Sequence, residues 1–195
     1  IYKKINFSNI NVFFLYILCF TLFCSFIYIS VPFFYKYENI KLEKIICKNT
    51  KFTCKIMGKV NYTFYPTPRL NIRDLKIIDF LDKKNTLLDA NKVSLKVSVV
   101  DLLKKDQPKL KQIEFKDYQV NIDNKNLKKY KNIFEKQNYN IPYFFENGKI
   151  SFYNDNKYVA TISDANLNFF NKVNLQEVKL TGNFLNNDII LNLSK

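Results

Sequence analysis

The chain opens on an unbroken apolar run. Residues 12–31 (VFFLYILCFTLFCSFIYISV) carry no charge, and no charged side chain occurs from Ile5 to Tyr35. At about 1.5 Å of rise per residue, a helix of this length reaches roughly 30 Å, the thickness of a bilayer's hydrocarbon core. Lys3 and Lys4 precede the run, Pro32 ends it, and Phe33, Phe34 and Tyr35 fall at the position of an interfacial aromatic belt. A cleaved signal peptide is the competing reading. Its apolar region spans about 7–15 residues and ends in small residues at the cleavage site. The run here is longer and lacks such a site, which favours a retained anchor over residues 1–35. The short Lys3/Lys4 flank then stays in the cytoplasm, and residues 36–195 form one translocated domain.

Residues 36–47 (KYENIKLEKIIC) set Tyr37, Ile40, Leu42, Ile45 and Ile46 among charges, the pattern of a short amphipathic helix. Beyond them the period becomes two. Val60, Tyr62 and Phe64 alternate with polar residues, as do Val93, Leu95, Val97 and Val99. Shorter alternations follow at Ile150/Phe152, Leu167/Phe169, Val178/Leu180 and Ile189/Leu191/Leu193. Two runs change phase: Leu70/Ile72 gives way to Leu75/Ile77, and Ile113/Phe115 to Tyr118/Val120/Ile122. A one-residue slip turns apolar side chains to the wrong face, so the phase changes predict bulges near Arg73-Asp74 and Lys116-Asp117. Residues 126–137 place Leu127, Tyr130, Ile133 and Phe134 at helical spacing. The predicted domain is mainly β: a curved antiparallel sheet of about seven to nine strands with one or two short helices.

Composition narrows the chemistry. The 195 residues include no His, no Trp and three isolated Gly (Gly58, Gly148, Gly182). Without His there is no Ser-His-Asp or Cys-His relay, and no glycine-rich phosphate cradle can form. The expectation is a protein that is not an enzyme and uses no cofactor or metal. Asp79 and Asp82 are close in sequence, but nothing orients them, and they read as solvated loop residues. The net charge of +14 rests almost wholly on Lys, with only Arg69 and Arg73 able to fork onto bases or phosphates, so nucleic acid is not expected as a partner. Cys19 and Cys24 lie inside the apolar run, while Cys47 and Cys54, with six residues between them, can close a short loop on an oxidising side. Spacing alone leaves open whether they are joined. Ile1 in place of Met and a strand-like end read as a piece of a longer protein, truncated at its C-terminus.

The order of these pieces resembles the N-terminal region of the bacterial AsmA-like family, which is related to TamB and the chorein-type bridge-like lipid-transfer proteins. The likeness rests on the anchor, then Gly58 and Val60, then the passage Pro66, Pro68, Leu70, Ile72, Asp74, Leu75, Ile77. It continues through Ala90, Val93, Leu95, Val97 and Leu102-Leu103, through Ile113 and Phe115, and through Asn147, Gly148, Ile150 and Phe152. The resemblance implies a single-pass protein of the bacterial inner membrane with its bulk in the periplasm, active in outer-membrane biogenesis. It further implies an apolar β-groove that binds or conducts phospholipid acyl chains. Outer-membrane assembly proteins are the other implied partners. Two other readings stand beside it: a scaffold for outer-membrane proteins that carries no lipid, and a bitopic lipopolysaccharide-transport component.

The candidate groove residues are Val60, Tyr62, Phe64, Leu70, Ile72, Val93, Leu95, Val97, Ile113, Phe115, Val120, Ile150 and Phe152. The same side chains would serve as an ordinary core beneath a helix or a second sheet. The resemblance favours the groove.

Overall fold

A computed structural model describes residues 7–34, 36–47, 52–81, 85–103, 109–130, 141–172 and 175–194. The chain divides into two compact units, Ile1–Lys36 and Tyr37–Lys195. The first is helix α1 (Phe7–Ser30) followed by a 3-10 turn at Val31–Phe34. Within α1, Val12–Ser30 is long and apolar enough to cross a membrane. Small hydroxyls within it bond back to the helix. Thr21 donates to the Leu18 carbonyl and Ser25 to the Thr21 carbonyl, each at 2.8 Å.

The second unit begins with α2 (Asn39–Ile46), which buries Leu42 and Ile46 and leaves Ile40 and Lys41 exposed. Nine strands follow in one sheet: β1 (Thr53–Ile56), β2 (Val60–Thr63), β3 (Arg69–Ile78), β4 (Thr86–Lys96), β5 (Gln112–Asp123), β6 (Tyr143–Asn154), β7 (Lys157–Lys172), β8 (Leu175–Phe184) and β9 (Asn187–Ser194). A short helix, α3 (Val99–Leu103), separates β4 from β5. The strands stand in sequence order, except that β1 and β2 lie end to end along the same edge of β3. The antiparallel expectation needs one correction, because β5 and β6 run parallel. A parallel neighbour requires the chain to return to its starting end before pairing. Residues 124–142 make that return, beginning with a 3-10 turn at Asn124–Asn126 and a helical turn over 127–130. The rest of the helix expected over 126–137 lies outside the described residues.

The two phase changes fall where the sequence puts them, but their form differs from an isolated bulge. Asp74 and Asp117 adopt left-handed backbone, φ 54° and 51°. The pairing of β3 with β4 and of β4 with β5 nevertheless keeps one register on both sides of them. The register holds because all three strands step together. Asp74 and Asp117 both stand level with Asn91 of β4, and there Asn91 and Lys92 are exposed in succession between buried Ala90 and Val93. The line runs on through Asn147 of β6 (φ 55°) and Asp164 of β7 (φ 49°), where register shifts absorb it. Asn and Asp tolerate this conformation better than other side chains.

At the near edge the same line forms the break between β1 and β2. The Gly58 N–H donates to the Arg73 carbonyl at 3.2 Å, and a Cβ on Gly58 would lie 2.6 Å from that oxygen. All three glycines of the chain sit on or beside this line, each where a neighbour approaches too closely for a side chain.

Candidate functional site

Cross-strand pairing gathers the alternating apolar residues into two ribbons that run across the sheet. The first links Tyr62, Leu70, Leu95, Ile113, Tyr143, Phe169, Val178 and Leu193 as successive partners from β2 to β9. The second links Val60, Ile72, Val93, Phe115, Phe145, Leu167, Leu180 and Leu191 in the same way. Each ribbon crosses eight strands without a polar member. Aromatic contacts reinforce neighbouring members of a ribbon: in the second, the Phe115 and Phe145 rings stack with centroids 4.6 Å apart.

Eight of the thirteen candidate residues are in these ribbons: Val60, Tyr62, Leu70, Ile72, Val93, Leu95, Ile113 and Phe115. Val120 and Ile150 pair with each other on the far side of the polar line, and Phe152 pairs with Ile122 beside them. Val97 is buried just after β4, and Phe64 is exposed just after β2. The sequence reading omitted Tyr143 and Phe145, whose alternation is masked by Phe144 between them. It saw Leu167, Phe169, Val178, Leu180, Leu191 and Leu193 as strands without assigning them to the wall. Nothing local shows which residues pair across strands, so the ribbons themselves are a product of register.

Exposure is uneven along each ribbon. In the first it rises from 0% at Ile113 to 66% at Leu193, and in the second from 2% at Phe115 to 51% at Leu191. Leu70, Ile72, Val93 and Leu95 are sealed into a protein core, to which α2 contributes Leu42 and Ile46. Toward β9 the same face opens, and Tyr143, Phe145, Leu167, Phe169, Val178 and Leu180 are half-buried.

The reverse face of the sheet is mostly polar, with an aromatic pair, Phe144 and Phe170, whose ring centroids lie 5.3 Å apart. Asn71 donates to Thr63 Oγ1 at 2.9 Å and accepts from Ser94 at 2.6 Å. Lys76 pairs with Asp89 at 3.2 Å and Lys116 with Glu146 at 2.6 Å, and that bond to Glu146 holds the Lys116 ammonium above its usual range. The Asn147 amide donates to Asp117 at 2.6 Å, and with Lys92 nearby it keeps the Asp117 carboxyl below the ordinary carboxylate range. The sheet therefore has one wet and one dry face.

Three further contacts fix this frame. The Tyr118 ring of β5 crosses Gly148 of β6, and its hydroxyl donates to the Ala165 carbonyl of β7 at 3.0 Å. Asp79 is buried rather than solvated: it accepts hydrogen bonds from the Tyr130 hydroxyl and, at 2.9 Å, from the Leu81 N–H. Its partner Asp82 lies outside the described residues. A disulfide joins Cys47, just beyond α2, to Cys54 in β1, with Cα atoms 5.9 Å apart. Among the described residues, no group of three or more His, Cys, Asp or Glu side chains could hold a metal ion. No protein-family model matches the chain, and no curated protein matches it.

Proposed function

We propose that the chain is a membrane-anchored lipid-handling protein of a bacterial envelope. In this reading α1 crosses the inner membrane and the sheet domain stands in the periplasm, where phospholipid acyl chains lie along the open end of the apolar ribbons. The carrying observation is the opening of the two ribbons from β5 to β9 on the dry face. Strands about 4.8 Å apart give the four open strands from β6 to β9 a width of roughly 14 Å. That compares with about 15 Å for one leaflet's share of a hydrocarbon core. Withdrawing an acyl chain from water is worth about 0.8 kcal/mol per methylene, and the wall needs no catalyst to provide it.

The Cys47–Cys54 disulfide supports an oxidising compartment, and the AsmA-like motif order supports the same assignment. The buried inner ribbon, Leu70 through Ile113, acts as the foundation, so the lipid-contacting segment is narrower than the sequence alone suggests. That same burial favours a second reading, a scaffold for outer-membrane proteins that carries no lipid.

Native mass spectrometry of the full chain extracted in detergent tests the proposal. Phospholipid is expected to remain bound to the wild type and to be lost from a Leu191→Asp/Leu193→Asp variant that stays folded. Absence of lipid from the wild type, under conditions that load a known carrier, overturns it in favour of the scaffold.

A further inference from the structure

One end of the sheet carries apolar side chains that face solvent. Between β2 and β3 the chain turns through Phe64, Tyr65, Pro66, Thr67 and Pro68, with Tyr65 86% exposed. The Pro68 carbonyl accepts from the Val97 N–H at 3.1 Å, which brings this turn beside α3, where Val100 is 52% exposed. The Lys111 N–H donates to the Lys96 carbonyl at 2.8 Å at the same end, and Lys109 and Lys111 are exposed. The nearby acids are engaged: Glu114 pairs with Arg69 at 3.6 Å and Asp101 with the Ser98 hydroxyl. The tip is thus aromatic, basic and short of free carboxylates among the described residues.

Helix α2 is tied to the neighbouring edge of the sheet. Cys47 is bonded to Cys54, and the Ile56 N–H donates to Glu43 at 2.7 Å, so α2 runs antiparallel to β1. The start of α2 therefore lies toward the β2 end of the β1–β2 edge.

We infer that the Phe64–Pro68 turn and α3 form a membrane-docking tip that takes an anionic phospholipid surface. Tyr65 and Phe64 enter the headgroup layer, where amphipathic rings are favoured, and Lys96, Lys109 and Lys111 meet lipid phosphates. The inference rests on α1 crossing a bilayer, not on lipid lying in the ribbons.

The absence of Trp from the chain makes the test direct. Three single-Trp variants of the full chain, Tyr65→Trp, Tyr158→Trp and Phe23→Trp, are reconstituted in vesicles of dibrominated phosphatidylcholine with phosphatidylglycerol. Tyr158 is an exposed residue of the β6–β7 hairpin, at the opposite end of these strands. Phe23→Trp and Tyr65→Trp are expected to emit to the blue and to lose intensity to bromine, while Tyr158→Trp does neither. Quenching at Phe23→Trp without quenching at Tyr65→Trp overturns the docking tip and leaves the anchor standing. A blue shift at Tyr65→Trp without bromine quenching means that protein, such as a second copy of the chain, covers the tip, which also overturns it. Equal quenching at Tyr65→Trp and Tyr158→Trp overturns it as well, and no quenching at Phe23→Trp removes the anchor and the inference together.

Discussion

The Tyr118 ring occupies the space in which a side chain on Gly148 would stand, and its hydroxyl ends on the Ala165 carbonyl one strand further on. Three strands are thereby pinned at the point where their backbones step. Gly148→Ala must displace the ring and is expected to cost about 1–3 kcal/mol, the usual range for overpacking. Tyr118→Phe keeps the ring and loses only the hydrogen bond, about 1 kcal/mol. Chemical denaturation of the two variants checks the order: if Tyr118→Phe costs more, the hydroxyl rather than the ring is the main tie.

Alkaline stability follows from the same phenol. Burial pushes the Tyr118 hydroxyl well above the ordinary 10.0, and burial followed by the hydrogen bond to Asp79 does the same for Tyr130. A group whose folded pKa is raised holds its proton more tightly when folded. Stability is then full below about pH 10 and falls above it, as the unfolded chain releases protons first. Denaturation midpoints measured from pH 8 upward are expected to fall above about pH 10, and less steeply in Tyr118→Phe.

The two ends of one ribbon should respond differently to the same truncation. Ile113→Ala empties a sealed site and is expected to cost about 2–5 kcal/mol. Leu193→Ala, at the exposed end, is expected to change stability by less than about 0.5 kcal/mol. Equal costs would mean that the β9 end is as closed as the β5 end.

The Cys47–Cys54 bond closes a loop with six residues inside it. In the chain-entropy account such a loop is worth roughly 2–3 kcal/mol. A Cys47→Ser/Cys54→Ser variant should unfold at correspondingly lower denaturant, and reductant should move the wild type but not the variant.

Leu185 sits at φ 52° in the two-residue turn between β8 and β9, followed by Asn186 at 63°. Such turns favour Asn, Asp or Gly, and the Leu side chain is exposed and adds little packing. Leu185→Asn is expected to stabilise the protein by about 0.5–1 kcal/mol, readable as a raised thermal midpoint.

Period-two alternation was enough to locate most strands, because one wet and one dry face leave their mark on every second residue, as in Val93, Leu95 and Val97. The phase changes at Asp74 and Asp117 were legible for the same reason. That β4 steps with them was not: Asn91-Lys92 looks like an ordinary polar pair until β3 and β5 are set beside it. The parallel pairing of β5 with β6 left no local trace, since strand direction depends on where the return segment ends. Exposure along the ribbons was equally hidden. Ile113 and Leu193 have the same alternation in sequence, and only the packed neighbours separate a sealed residue from an open one. Asp79 was misread because the residue that buries it, Tyr130, lies 51 positions away.

The level alignment of Asp74, Asn91, Asp117 and Asn147 restricts how this sequence can change in length. An in-frame loss of one codon between any of them and the start of its strand would make that strand turn its greasy side one position early while its neighbours kept time. Substitutions can accumulate strand by strand, but insertions and deletions are confined to the connecting loops.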